Sequence, residues 1–271
     1  MTAAEPARKS DLPIRAVAGV VMIAVALAAI YFGGWPFRLL VGLGAALMFA
    51  EWCDMHRLRR PWPLVGIALL AANLWIIPEF FFASAQFEGR PAPDVWYGLA
   101  ATAGIGLLLG LVARNARLGW GYVYIAVPSF ALLILNWISW QAVLWAMIVT
   151  WSTDIFAYFA GRSIGGPKLA PRISPNKTWA GLIGGMAGGE VLGAVTAQAF
   201  GLGLTFMAIG GLMGLLAQLG DLYESSVKRK AGVKDSGRIL PGHGGVLDRL
   251  DGLLPVALAT LAVAGVVSWA A

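Results

Sequence analysis

Long apolar runs separated by short polar interruptions occupy nearly the whole chain. A membrane-spanning helix needs about 20 mostly apolar residues. Nine stretches qualify: 15–33, 36–53, 62–80, 95–113, 120–137, 139–160, 179–199, 202–220 and 251–270. The pattern predicts an all-α polytopic membrane protein with nine transmembrane helices. Basic residues test that count, because Lys and Arg concentrate in cytoplasmic segments. With the N-terminus inside, 18 of the 20 basic residues fall in cytoplasmic segments, leaving Arg38 and Arg90 on the other side. A miscounted helix would invert every later loop, so the expected topology is N-terminus cytoplasmic, C-terminus outside. The chain then divides into a cytoplasmic tail (1–14), N-terminal transmembrane helices (15–137) and a C-terminal transmembrane region (138–271). The last carries cytoplasmic loops 161–178 and 221–250.

Composition points the same way. Of 271 residues, 59% are hydrophobic and 13% charged, with mean hydropathy +0.74, against about 25% charged in a soluble domain. That is too little polar surface to cover a globule in water. The net charge of +6 is scattered between apolar runs, not gathered into the stripe that nucleic acid requires, so no nucleic-acid partner is expected. Cys53 is the one cysteine, which excludes an intrachain disulfide and a cysteine-based metal cluster. Arg15 to Phe32 has the basic-then-apolar look of a signal peptide, but with eight spans behind it reads as an uncleaved first helix.

The loop 161–178 contains Gly161, Gly165, Gly166 and Lys168. A Walker A loop needs Gly-x-x-x-x-Gly-Lys-Ser/Thr between a strand and a helix; here Pro167 intrudes and Leu169 follows the lysine. What survives is a glycine-rich turn bearing Arg162, Lys168, Arg172 and Lys177, closed by Ser174-Pro175-Asn176-Lys177-Thr178 before a helix. Helix-start N–H groups and Lys177 favour an anion; a plain cap with orienting charge is the alternative. The next helix places Gly181, Gly185, Gly189 and Gly193 on one face, where helices approach closely. Glu190 beside it is either a structural hydrogen-bond partner or a cavity residue. Asp154, inside the sixth span, is a functional-site hypothesis by default, with an ion pair locking helices as the alternative.

The stretch from Asp221 to Asp251 is the stronger signal. It holds five of the chain's 14 acidic residues: Asp221, Glu224, Asp235, Asp248 and Asp251. A loop built for orientation needs cations and no carboxylates. Asp221 and Glu224 end one helix, while Asp248 and Asp251 begin the next. If the loop folds back, their oxygens converge in a way that suits Mg²⁺, completed by water and substrate phosphate. Lys228, Arg229, Lys234 and Arg249 would hold phosphate oxygens. Around His243, the Pro241-Gly242-His243-Gly244-Gly245 segment lets backbone approach a ligand. A surface network of salt bridges is the structural alternative.

Ser225, Val227, Lys228-Arg229, Lys234-Asp235, His243-Gly244-Gly245, Val246, Asp248-Arg249, Leu250 and Asp251 closely resemble the signature of the phosphatidate cytidylyltransferase (CDP-diacylglycerol synthase) family. Thr153-Asp154 through Gly161-Arg162, and Ser174 through Trp179, resemble its upstream motifs. Ala180 departs from the pattern, since relatives commonly place a glutamate there. The resemblance implies a multi-pass enzyme of the inner (cytoplasmic) membrane that joins CTP to phosphatidate, releasing pyrophosphate. It implies Mg²⁺, with room for a second metal or a monovalent cation, and a homodimer. Asp221 and Asp248 are the implied metal residues, with Asp154, Asp251 and Glu224 as further ligands. Lys228, Arg229, Lys234, Asp235, His243 and Arg249 join them as catalytic candidates. Arg162, Ser174, Asn176, Lys177, Thr178, Ser225, Gly244 and Gly245 are candidates for binding substrate. His243 is read as a phosphate hydrogen-bonder or a proton donor. Alternative readings are a CTP-dependent polyprenol or phytol kinase and an ion-coupled transporter.

Overall fold

The computed structural model describes residues 12–88, 94–240 and 244–270. Long helices follow one another: α1 (Leu12–Phe32), α2 (Gly34–Met55), α3 (Trp62–Glu88), α4 (Asp94–Val112), α5 (Ala116–Ile138) and α6 (Trp140–Ser163). A hairpin of β1 (Lys168–Ala170) and β2 (Ser174–Thr178) precedes α7 (Trp179–Phe200). Then come α8 (Leu204–Ala208), α9 (Gly210–Ala231), α10 (Leu247–Leu250) and α11 (Leu253–Ala270). Among the described residues, six helices (α2 to α7) are long and apolar enough to cross a membrane. This is the helical, multi-pass architecture the apolar pattern predicts.

Two local expectations need correction. The eighth stretch, 202–220, is not one helix: positive φ at Gly201 and Gly203 turns the chain, α8 is a single short piece, and the long helix starts at Gly210. It then runs to Ala231, so the first third of the expected 221–250 loop is helical; Gly232, at φ +76, ends it. The loop 161–178 is likewise no irregular turn. Gly165 and Gly166, both at positive φ, lead the chain out of α6 into the antiparallel pairing of Lys168 with Thr178 and Ala170 with Ser174.

The centre of the bundle is α5, whose Tyr122, Ile125, Phe130 and Leu135 are wholly buried. It is tied laterally by a polar chain: Asn73 donates to the Tyr122 hydroxyl at 3.1 Å and accepts from Thr102 at 3.1 Å, joining α3, α4 and α5. Outward faces are apolar instead of polar, as with Leu107 and Leu111 on α4 and Val191 and Val195 on α7. That inversion is what a lipid solvent selects. The glycine stripe of α7 does pack: a Cβ on Gly185 would lie 2.9 Å from the Thr153 carbonyl of α6, and one on Gly189 3.0 Å from the Gly210 carbonyl of α9. Glu190 resolves to the structural reading, accepting from the Gly211 N–H at 2.6 Å where α9 begins without a side-chain cap of its own.

Candidate active site

Both polar loops meet at one end of α9. The Thr178 hydroxyl accepts from the Gly181 N–H at 3.0 Å, capping α7 and fixing where β2 ends. One residue earlier, Lys177 reaches across to Asp221 at 2.6 Å and donates to Gln218 at 3.0 Å. Ser225, one turn beyond Asp221, donates to it at 3.2 Å. The Arg229 guanidinium closes the other side, donating to the Ile173 carbonyl of the hairpin at 3.3 Å and to Val233 at 3.1 Å.

Lys228 joins α9 to α10. Its ammonium lies 2.6 Å from Asp248 and also pairs with the fully buried Glu224. Asp248 is saturated: it accepts from Lys228, from the Ser236 N–H at 3.0 Å and from the Gly245 N–H at 2.9 Å. Burial alone would raise the Asp248 carboxyl, but the bonds from Lys228 and Gly245 outweigh it and hold it below the usual carboxylate range. Burial would likewise lower the Lys228 ammonium, yet its hydrogen bonds to Asp248 and Glu224 keep it above the ordinary lysine value. Burial pushes the Glu224 carboxyl above the usual range, against the pull of Lys228, and its Oε1 has no hydrogen-bond partner among the described residues.

Asp154 of α6, Asp221 of α9 and Asp251 after α10 lie within electrostatic reach of one another, with Lys177 and Arg249 close to Asp154. Carboxylates therefore outnumber the cations that reach them, and a buried carboxylate oxygen is orphaned. The unmet demand is for positive charge. Among the described residues no three His, Cys, Asp or Glu side chains converge tightly enough to hold an ion by themselves. A divalent cation such as Mg²⁺ needs no such cage, since it takes one or two carboxylates and completes its shell with water and phosphate oxygens.

Other expected residues lie apart. Arg162 is exposed and hydrogen-bonded to Tyr158 of its own helix. Lys234 and Asp235 are exposed, as is Asn176, while Ser174 sits half-buried in β2. Gly244, at φ +84, turns the chain beside the Asp248 carboxylate. His243 lies outside the described residues.

Two residues were missed from sequence. Glu51 of α2, buried against the chain that leads into α10, is 3% exposed. It accepts from the Val246 and Leu247 N–H groups, each at 2.9 Å, and from the Ser236 hydroxyl at 3.1 Å. The glycine-rich loop is thus clamped by the N-terminal half. An acid within a predicted span was the available signal. Tyr124 of α5 has a buried hydroxyl without a hydrogen-bond partner among the described residues, within electrostatic reach of Asp251 and Glu224; nothing in its apolar surroundings marked it.

Such a bundle of apolar helices, with carboxylates and cations gathered at one end of α9, defines a multi-pass membrane protein with one charged site. Its family is narrower than that: the Cytidylyltransferase family model matches residues 13–267, and the chain belongs to this family. Similar curated proteins are named phosphatidate cytidylyltransferase. One from Brucella abortus is 38% identical over 259 residues, covering 92% of this chain and 91% of the relative. One from Pseudomonas aeruginosa is 33% identical over 272 residues, covering 93% and 97%. A third, from Helicobacter pylori, is 37% identical over 185 residues, covering 67% and 68%.

Proposed function

We infer that this protein transfers the cytidylyl group of CTP to phosphatidate, forming CDP-diacylglycerol and pyrophosphate. The observation that carries this is similarity along nine-tenths of the chain to proteins of that name, with the 225–251 signature intact.

The nucleophile is a phosphatidate phosphate oxygen attacking the α-phosphorus of CTP. It is already ionised near neutrality, since a phosphate monoester's second pKa is about 6, so no general base is obligatory. The protein's task is to position two anions and neutralise them. Lys177 and Arg249, both within electrostatic reach of Asp154, are the cations proposed to receive phosphate oxygens, Lys177 by exchanging its present pairing with Asp221. Lys228 is held by Glu224 and Asp248, which fixes the loop against α9. Asp221, with Asp154 and Asp251, is the proposed metal-holding set, and the orphaned oxygen of Glu224 lies in the same region. Asp248 joins that set only by exchanging one of its present hydrogen bonds. Mg²⁺ bound there would screen the phosphates and favour departure of pyrophosphate.

The remaining architecture is proposed as nine spans, N-terminus cytoplasmic, with the site on the cytoplasmic side of the bacterial inner membrane. CTP then arrives from solution and phosphatidate from the bilayer. A homodimer is the proposed assembly. The deep acids Glu51 and Glu190 are spent on main-chain N–H groups, which argues against an ion path. Purified protein given labelled CTP, phosphatidate and Mg²⁺ should yield a lipid-soluble cytidine product and pyrophosphate. Release of CDP with phosphorylation of an alcohol would overturn the assignment in favour of a lipid kinase.

A further inference from the structure

The helix α9 carries its reaction chemistry on one side. At 3.6 residues per turn, Asp221, Glu224, Ser225 and Lys228 share a face, and Tyr223, Val227 and Lys230 share another, well over a quarter-turn away. That second face borders a cavity of about 520 Å³ between α9, the end of α2 and the start of α5. Arg57, Arg117 and Lys230 line it, and no carboxylate does. None of the three cations makes a salt bridge with a described residue; the described ion pairs engage Arg38, Lys177 and Lys228.

The walls are built. Trp52 is buried and donates to the Arg117 carbonyl at 2.9 Å, fixing the start of α5. Trp120 hydrogen-bonds the Tyr223 hydroxyl, tying α5 to α9 across the cavity. His56 uses Nδ1 on the Trp52 carbonyl at 2.9 Å, which turns its other nitrogen away from that bond. Arg57 has φ +53, a left-handed position that glycine usually fills at a helix C-terminus. A long cationic side chain is therefore kept at a backbone cost.

Three cations without an ion pair among the described residues, around an aromatic-walled cavity at the ends of the membrane-spanning α2 and α5, match the chemistry that binds phosphate headgroups. We propose that this cavity binds a phosphate-bearing ligand at a site separate from the reacting centre, on the opposite side of α9. The headgroup of an anionic phospholipid is favoured, because the cavity lies where α2 ends and α5 begins, both long and apolar enough to span a membrane, with the exposed Trp120 in its wall. A water-soluble phosphate shares the recognised group.

The test uses the full chain in detergent, read by native mass spectrometry during titration with phosphatidylglycerol, phosphatidylcholine or inorganic phosphate. It reads binding without turnover, so it stands or falls apart from the proposed reaction. Wild type should retain phosphatidylglycerol over phosphatidylcholine. The triple variant Arg57→Gln, Arg117→Gln, Lys230→Gln should bind phosphatidylglycerol about a hundredfold more weakly, the combined attraction of three basic residues at a membrane surface. Preference for inorganic phosphate, lost in the same variant, assigns the site to a soluble ligand and keeps the proposal. Equal phosphatidylglycerol and phosphate binding by wild type and variant overturns it. If the triple variant does not fold, Arg117→Gln and Lys230→Gln singly should each weaken binding about fivefold, and unchanged binding in both is the refuting result.

Discussion

Glu51→Gln isolates the clamp between the two halves of the chain. Its carboxylate receives two amide N–H groups and one hydroxyl, and hydrogen bonds to a charged group contribute about 1.5–3 kcal/mol each. Glutamine keeps one carbonyl oxygen. Its NH₂ must then face Val246 N–H or Leu247 N–H, leaving a buried donor unpaired at about 1–3 kcal/mol. Adding the weakened charge assistance, loop docking should lose about 2–4 kcal/mol, or roughly thirtyfold to a thousandfold in the docked-to-undocked ratio. Space offers no relief, since a Cβ on Gly237 would lie 2.5 Å from Glu51 Oε1 and one on Gly245 2.6 Å from Oε2.

The assay pairs hydrogen–deuterium exchange over residues 236–250 with kcat/KM for cytidylyl transfer. Exchange there should accelerate at least tenfold while α3 to α5 stay protected, and kcat/KM should fall by a similar factor. Global unfolding would move every helix together and so be told apart. If exchange in the loop and kcat/KM both stay within twofold of wild type, the clamp does not hold the loop and the reasoning fails.

Asp221→Asn should reduce turnover more than a hundredfold with melting little changed, because the side chain is partly open and faces Lys177; near-full activity would remove it from the site. Asp248→Asn should cost both activity and about 3–5 kcal/mol of stability, since it breaks a buried pair with Lys228. Asp248 is held below the usual carboxylate range, so it stabilises the fold above pH ~4 and loses that contribution as pH falls through its lowered value. The melting difference between wild type and Asp248→Asn should therefore shrink below pH ~4; a constant difference contradicts the pairing. Chelation with EDTA should stop turnover and leave far-UV circular dichroism intact, with Mg²⁺ restoring activity; full activity in excess chelator would exclude a metal role. Gly185→Val should separate α6 from α7, where the Thr153 carbonyl leaves no room, lowering thermal stability by about 1–3 kcal/mol or more; unchanged melting would refute close packing there.

What sequence revealed here was what local chemistry encodes. Apolar runs of span length marked the helices, glycines four apart marked the α6–α7 contact, and mixed charge marked the loop. The break at Ile209 and the continuation of α9 to Ala231 escaped, because an apolar stretch interrupted by glycines keeps its mean hydropathy while losing its helix. The β-hairpin escaped because its strands are only three and five residues long and are joined by the Pro171–Ile173 turn, too short to show a strand-like alternation. Glu51 escaped for a deeper reason: its partners lie 185 to 196 residues away, and no period in either segment records that meeting. Its lone trace was cost, since a buried carboxylate inside an apolar helix must be compensated by something. Glu190 carried the same trace and proved to be compensated the same way, by a main-chain N–H. Glu51 and Glu190 therefore mark places where backbone is held, while the acids proposed for the chemistry, Asp154, Asp221 and Asp251, lie within electrostatic reach of one another instead. The signature-bearing half is on that account incomplete without α2: residues 138–271 expressed alone should retain the carboxylates and cations yet lack the anchor that holds Ser236, Val246 and Leu247.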